Sequence, residues 1–154
     1  MFTSRTRSAQ ETQMLAEKIA KLLPSPFVIA LNGDLGAGKT TFVQGFCRQF
    51  QVKDTVNSPT FTLVNNYQGA VPIQHIDFYR LNTIDEIELL GIDEYLPPQN
   101  GYTLIEWASH APELLPKDTL FITFKDRGND TRELSFTLNN PNKELQNKLS
   151  GVSS

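Results

Sequence analysis

The chain has 154 residues, of which 39% are hydrophobic and 20% charged, with a formal net charge of −3. That length suits one domain whose core needs no disulfide or metal staple, and the composition is that of an ordinary soluble protein. A net negative chain lacks the positive face with which a protein grips a phosphate backbone unaided, so autonomous nucleic-acid binding is disfavoured, and no apolar run approaches membrane-spanning length.

The first residues carry Arg5 and Arg7 and no acid. That is the charge balance of a transit peptide, but no apolar core segment follows, and the chain is read as cytoplasmic. Ser8-Ala9-Gln10-Glu11 is a capping box, with Ser8 as N-cap and Glu11 at the third helical position. Leu15, Ile19, Leu22 and Leu23 then mark a buried helix face, and Pro24-Ser25-Pro26 ends it. A helix ahead of a nucleotide-binding strand can reach the base and ribose from outside. Thr12 is the candidate contact, although a plain first-turn polar residue is the commoner role.

Phe27-Val28-Ile29-Ala30-Leu31 reads as a strand buried on both faces. Gly33-Asp34-Leu35-Gly36-Ala37-Gly38-Lys39-Thr40, followed by Thr41, fits the phosphate-loop pattern of Gly, four residues, then Gly-Lys-Ser/Thr. Phe42, Val43, Phe46, Cys47 and Phe50 follow at helical spacing, so the order is strand, glycine loop, helix. Gly33, Gly36 and Gly38 let the backbone approach an anion, and the amides of Ala37 to Thr41 at the helix N-terminus point at phosphate. Lys39 would bring an ammonium to the β and γ phosphates, and the Thr40 hydroxyl would ligate Mg2+. Cys47, the single cysteine, falls on the apolar helix face and reads as core.

Residues 51–57 form a polar connection, and Ser58-Pro59-Thr60 leads into a strand over 61–67 that turns at Gln68-Gly69-Ala70 into a second strand over 71–77. A hairpin thus stands where a purely parallel sheet would have a helix. Thr60, with Ser58 as second choice, is the candidate loop hydroxyl that senses the γ phosphate and Mg2+. Asp77 ends the apolar strand as a Walker B carboxylate does, rigid, sheltered from water and facing the Mg2+ shell. His75 shares its side of the strand and reads as a structural or supporting residue. Two histidines and one cysteine are too few to complete a zinc site. Arg80 is a minor candidate for stabilising phosphate charge.

Thr83-Ile84-Asp85-Glu86 is a second capping box before a short helix ending near Gly91, and an acidic turn follows to Pro97-Pro98. Tyr102-Thr103-Leu104-Ile105-Glu106-Trp107 is another buried strand that ends in an acid beside the only tryptophan. A carboxylate in that setting needs a cation, Mg2+ or a water to activate. Glu106 is therefore the second catalytic acid, as Mg2+ ligand or as the group that orients attacking water. Residues 119–125 and 132–138 flank a turn as a hairpin, and 142–149 form a short helix before a frayed tail. The division expected is one domain over 1–140 and a helix with its tail over 141–154.

The set comprising Gly-Asp-Leu-Gly-Ala-Gly-Lys-Thr-Thr from Gly33, Ser-Pro-Thr-Phe-Thr-Leu-Val from Ser58, His-Ile-Asp-Phe-Tyr-Arg-Leu from His75, the stretch from Glu86 to Gly91 with Ile-Asp-Glu-Tyr, and Ile-Glu-Trp from Ile105 resembles the TsaE (YjeE) family in order and spacing. These are small bacterial P-loop ATPases needed to make threonylcarbamoyladenosine in tRNAs. The resemblance implies ATP and Mg2+ as cofactors, Lys39 and Thr40 as phosphate and Mg2+ contacts, and Thr60 as switch residue. It also implies Asp77 and Glu106 as acids required for hydrolysis, Trp107 as a neighbour responsive to nucleotide, and nucleotide lying against the segment from Ser8 to Thr12. Family members act with TsaD and TsaB, which handle the tRNA, so contact with tRNA would be indirect.

No arginine stands out as a finger, and an NTPase without one is slow until a partner supplies the charge, an effect of about 10³–10⁵. Weak turnover alone and faster turnover in complex are expected. A small-molecule P-loop kinase is the alternative, but no arginine-rich lid is found. A GTP switch is disfavoured because Asn142-Lys143-Glu144-Leu145 lacks the aspartate that pairs with guanine. The fold expected is a three-layer α/β P-loop NTPase fold with a central mixed sheet.

Overall fold

In the computed structural model, which describes residues 2–139 and 142–152, the apolar run at 27–31 is strand β2 (Phe27–Gly33). It pairs in parallel with β5 (Tyr102–Glu106) on one side and β6 (Thr119–Gly128) on the other. Its five leading residues are buried because helices or turns cover both faces of the sheet. Beyond β5 lie β4 (Pro72–Asp77), parallel, and β3 (Val64–Gln68), antiparallel to β4. Beyond β6 lie β7 (Thr131–Leu138) and β1 (Phe2–Thr6), both antiparallel. The described residues therefore form a seven-stranded mixed sheet in the order β1-β7-β6-β2-β5-β4-β3.

Helices α1 (Ala9–Leu22), α2 (Lys39–Gln49) and α4 (Lys143–Ser150) cover one face. They share a core with inward residues of the central strands, including Ile29, Leu31, Leu104, Ile122 and Phe136. On the other face α3 (Ile84–Glu88) and a series of 3-10 turns pack Ile87, Ile92, Ala108 and Ala111 against Val28, Ala30, Ile76 and Ile105. The result is three layers, as expected. Gly45 sets the spacing of the first layer: a methyl group there would run into the backbone of Gln13, so α2 lies on α1 at a distance only glycine allows.

Both helix N-caps form, with Glu11 and Glu86 turning back to the amides of Arg7 and Asn82, one residue before each cap. Ser8 Oγ accepts the Glu11 amide at 3.0 Å, and Thr83 Oγ1 accepts the Glu86 amide at 3.2 Å. Cys47 is buried in the α2 core, and burial pushes its thiol up to about 12, which leaves it inert as a nucleophile.

Several boundaries differ from the sequence reading: β6 runs on to Gly128 and α3 ends at Glu88, and three differences bear on the cleft or the sheet edge. β1 was not anticipated, because its inward side chains are Ser4 and Thr6 and no apolar alternation marks it; Phe2 alone signals the core, stacking on Phe136 at 4.9 Å. The strand expected from 61 begins at Val64. Residues 58–63 form a turn instead, closed by a bond from the Leu63 amide to the Pro59 carbonyl, with Leu63 at φ 70°. Trp107 leaves β5 altogether: at φ 60° it turns the chain at the strand end. The helix expected near 142–149 is α4, capped by Asn142, with Leu145 and Leu149 buried against the α1 side. Of the expected frayed tail, residues 153 and 154 lie outside the described residues.

Candidate functional site

The strands β2, β4 and β5 run in parallel and end together, with Leu31 opposite Glu106 and Asp77 opposite Glu106 in register. Crevices at the carboxyl ends of such strands are where open α/β sheets take ligands. Here the glycine loop leaves β2 and enters α2, with Gly36 at φ 76° and Gly38 at φ 107°. Those left-handed conformations, accessible to glycine without strain, wrap the backbone round a cleft of about 400 Å³.

Period-two alternation puts Ile73, His75 and Asp77 on one side of β4, and Tyr102, Leu104 and Glu106 on the matching side of β5. The apolar members of both rows sit in the core beneath α2. The two acids therefore surface at the rim of that core, beside the first turn of α2. Asp77 is 2% exposed and Glu106 3%. Carboxylates so buried need partners, and each has them. Asp77 Oδ2 accepts Thr60 Oγ1 at 3.1 Å and Ser58 Oγ at 3.3 Å, while Oδ1 accepts the Tyr79 amide at 2.7 Å. Glu106 Oε2 accepts Thr40 Oγ1 at 3.0 Å and meets His75 Nε2 at 2.6 Å.

Lys39 is 4% exposed, and its ammonium donates to the carbonyls of Gly33 and Asp34. It also lies 4.2 Å from the centre of the Trp107 ring, a cation–π arrangement made by the left-handed turn after β5. Burial holds its pKa below the ordinary lysine value, opposed in part by Glu106, Asp77 and Asp34. Trp107 packs on Tyr79 at 4.9 Å.

Among the expected residues, Thr12, Gly36, Ala37, Gly38, Lys39, Thr40, Thr41, Thr60, Asp77, Glu106 and Trp107 all line the cleft, as does Ser58. Thr12 is buried at its far wall, bonded to Thr6 Oγ1 at 2.6 Å. Gly33 and Asp34 do not line it; they are present through the carbonyls that hold Lys39. A side chain at Gly33 would collide with Phe124 of β6, so that glycine serves strand packing. Arg80 is turned outward, its guanidinium 5.2 Å from the ring of exposed Phe61. His110 ties the chain after β4, with Nδ1 donating to the carbonyls of Phe78 and Leu81 at 2.8 and 3.1 Å.

Sequence reasoning missed Arg132. The β6–β7 hairpin turns through Asn129 and Asp130, at φ 51° and 62°, and folds over the glycine loop. Arg132 there donates to the Gly36 carbonyl at 3.3 Å and to Asp126 Oδ1 at 3.0 Å, and lines the cleft with Asp130. Nothing local in the sequence marks it; only the pairing of β6 with β2 brings that hairpin to the loop.

The oxygens of Thr40, Asp77 and Glu106 are hard donors of the kind Mg2+ takes. Among the described residues no group of three or more His, Cys, Asp or Glu could hold a metal by itself.

A sequence model of the family described as "Threonylcarbamoyl adenosine biosynthesis protein TsaE" matches residues 6–134. Curated proteins named tRNA threonylcarbamoyladenosine biosynthesis protein TsaE are similar over most of the chain. That of Bacillus subtilis is 45% identical over 134 residues, 86% of this chain and 83% of its own. That of Treponema pallidum is 33% identical over 130 residues, 84% of this chain and 96% of its own. The crystal structure of Bacillus subtilis YdiB superposes with a TM-score of 0.81 at 37% identity, covering 97% of this chain and 94% of that one.

Proposed function

Because the chain belongs to the TsaE family, we propose that it serves tRNA threonylcarbamoyladenosine biosynthesis as the subunit that binds and hydrolyses ATP, acting with TsaD and TsaB. The observation that carries this reading is the convergence of Lys39, Thr40, Asp77 and Glu106 on one cleft at the mouth of the glycine loop. The loop amides and Lys39 bind the phosphates, and Thr12 and Ala9 also wall the cleft. Arg132, already on the Gly36 carbonyl, lines the same cleft as the two acids.

Thr40, Asp77 and Glu106 would hold Mg2+, which supplies charge neutralisation at the transferring phosphoryl group. Glu106 also orients the attacking water, and Thr60 couples loop 58–63 to Asp77. Since phosphoryl transfer is driven mainly by positioning and charge, turnover is slow until partners supply the remaining charge at the site. Among the described residues no helix is long and apolar enough to cross a membrane, and a cytoplasmic place beside the tRNA-handling partners fits the reading.

ATP hydrolysis by the purified chain, with and without a TsaB and TsaD pair, tests this directly. Slow turnover alone, stimulation by the pair, and collapse in Glu106→Ala are expected. Hydrolysis indifferent to the partners would overturn the assembly role and direct the search to metabolite phosphorylation.

A further inference from the structure

Glu106 Oε2 has two protein partners, and they differ in what else they do. Thr40 lines the cleft, and the proposed function commits its hydroxyl to the metal that arrives with nucleotide. His75 is fully buried and does not line the cleft. Its Nε2 lies 2.6 Å from Glu106 Oε2, and its Nδ1 lies 3.3 Å from the Tyr67 hydroxyl. Nε2 is placed to donate to the carboxylate, and Nδ1 meets the Tyr67 hydroxyl, whose one proton is shared between that nitrogen and the Asn57 carbonyl.

Tyr67 is itself buried and receives the Asn65 amide at 3.3 Å, and its hydroxyl stands 3.3 Å from the Asn57 carbonyl. Asn57 is the last residue before loop 58–63, whose hydroxyls hold Asp77. A chain of polar contacts thus runs from Glu106 through two buried rings to the base of the loop that grips the other acid. An apolar side chain at His75 would fill the same core and be simpler to bury; an imidazole bonded at both nitrogens is justified by what it orients.

We propose that His75, fixed by Tyr67, is the positioning residue for Glu106 in ATP hydrolysis. It anchors Oε2 when Thr40 is engaged elsewhere, so the carboxylate stays aimed at the reacting end of the cleft. This rests on the proposed ATPase reading, and the experiment separates the two. His75→Leu removes the N–H, and kcat falls about 10- to 100-fold. KM for ATP holds within about twofold, because the phosphate grip lies in the glycine loop. His75→Gln returns an amide N–H toward Oε2 and restores most of the loss. Tyr67→Phe keeps the ring, loses the hydroxyl, and lowers kcat by a smaller factor.

A readout independent of turnover comes from the nitrogen chemical shifts of His75 in nucleotide-free protein. They report the proton on Nε2, where Glu106 accepts it, in both the wild type and Tyr67→Phe. Equal losses in His75→Leu and His75→Gln, a loss confined to KM, or a wild-type proton on Nδ1 would each overturn the proposal. Should His75→Leu fail to fold, His75→Gln and Tyr67→Phe carry the same comparison. If the wild type hydrolyses no ATP even with partners, the proposed function is what falls, and the nitrogen shifts still decide the role of His75.

Discussion

Asp77 and Glu106 stand side by side in register on neighbouring parallel strands and are equally buried, yet they hang from different parts of the molecule. Glu106 is tied to the frame: to Thr40 at the start of α2 and to His75 inside the sheet. Asp77 is tied to a loop: Ser58 and Thr60 reach it from a turn whose Phe61 is 83% exposed and whose Leu63 sits at positive φ. A frame-held acid suits chemistry that needs fixed geometry. A loop-held acid suits sensing, since whatever displaces the loop changes what that carboxylate holds.

The sharpest way to break the frame side is Lys39→Ala. Loss of one preorganised cation lowers kcat/KM for ATP by about 10²–10³, with Trp107 fluorescence reporting the weakened nucleotide binding. Gly45→Ala breaks the same side without touching the cleft. Forcing α2 off α1 costs about 1–3 kcal/mol of stability, read as a lower midpoint in urea or heat.

On the loop side, Thr60→Val removes one hydroxyl from a buried carboxylate, an effect of about 1.5 kcal/mol or roughly tenfold on hydrolysis. Nucleotide binding without Mg2+ is expected to stay at the wild-type level. Equal losses in binding and turnover would mean that the loop belongs to the frame after all. Smaller again is Ser8→Ala, which uncaps α1 for about 1 kcal/mol, read as a lower thermal midpoint.

The depressed pKa of Lys39 adds a test by pH. Phosphate binding needs the ammonium, so nucleotide affinity falls as pH rises through the folded-state value, below the point where an exposed lysine titrates. In the window between those two values the unfolded chain holds the proton that the folded chain has lost. Stability of the nucleotide-free protein therefore rises with pH there, opposite in sign to affinity. If burial did not shift Lys39, the stability slope would be absent from the difference between wild type and Lys39→Met, and the affinity loss would move up to the ordinary lysine range.

Much of the site was legible because it is built from short, local signals. The glycine loop announced itself between an apolar strand and an amphipathic helix, and acids closing buried runs pointed to Asp77 and Glu106. The two helix N-caps needed only neighbours three residues apart. What escaped were features decided at a distance. The residues at 61–63 have strand-like chemistry, but hydroxyls captured by Asp77 bend the segment into a turn. β1 exists because β7 offers it an edge, and its inward serine and threonine gave no apolar pattern to read.

The sequence by itself determined the strand, glycine loop and helix at one wall of the cleft, and the layered fold around them, because periodicity, glycine placement and caps act over a few residues. Only the tertiary structure decided which groups share the cleft. It set Arg132 on the Gly36 carbonyl, Trp107 over Lys39, and His75 against Glu106. Those contacts join residues 31 to 96 positions apart, and their geometry depends on strand order and register, which no local pattern encodes.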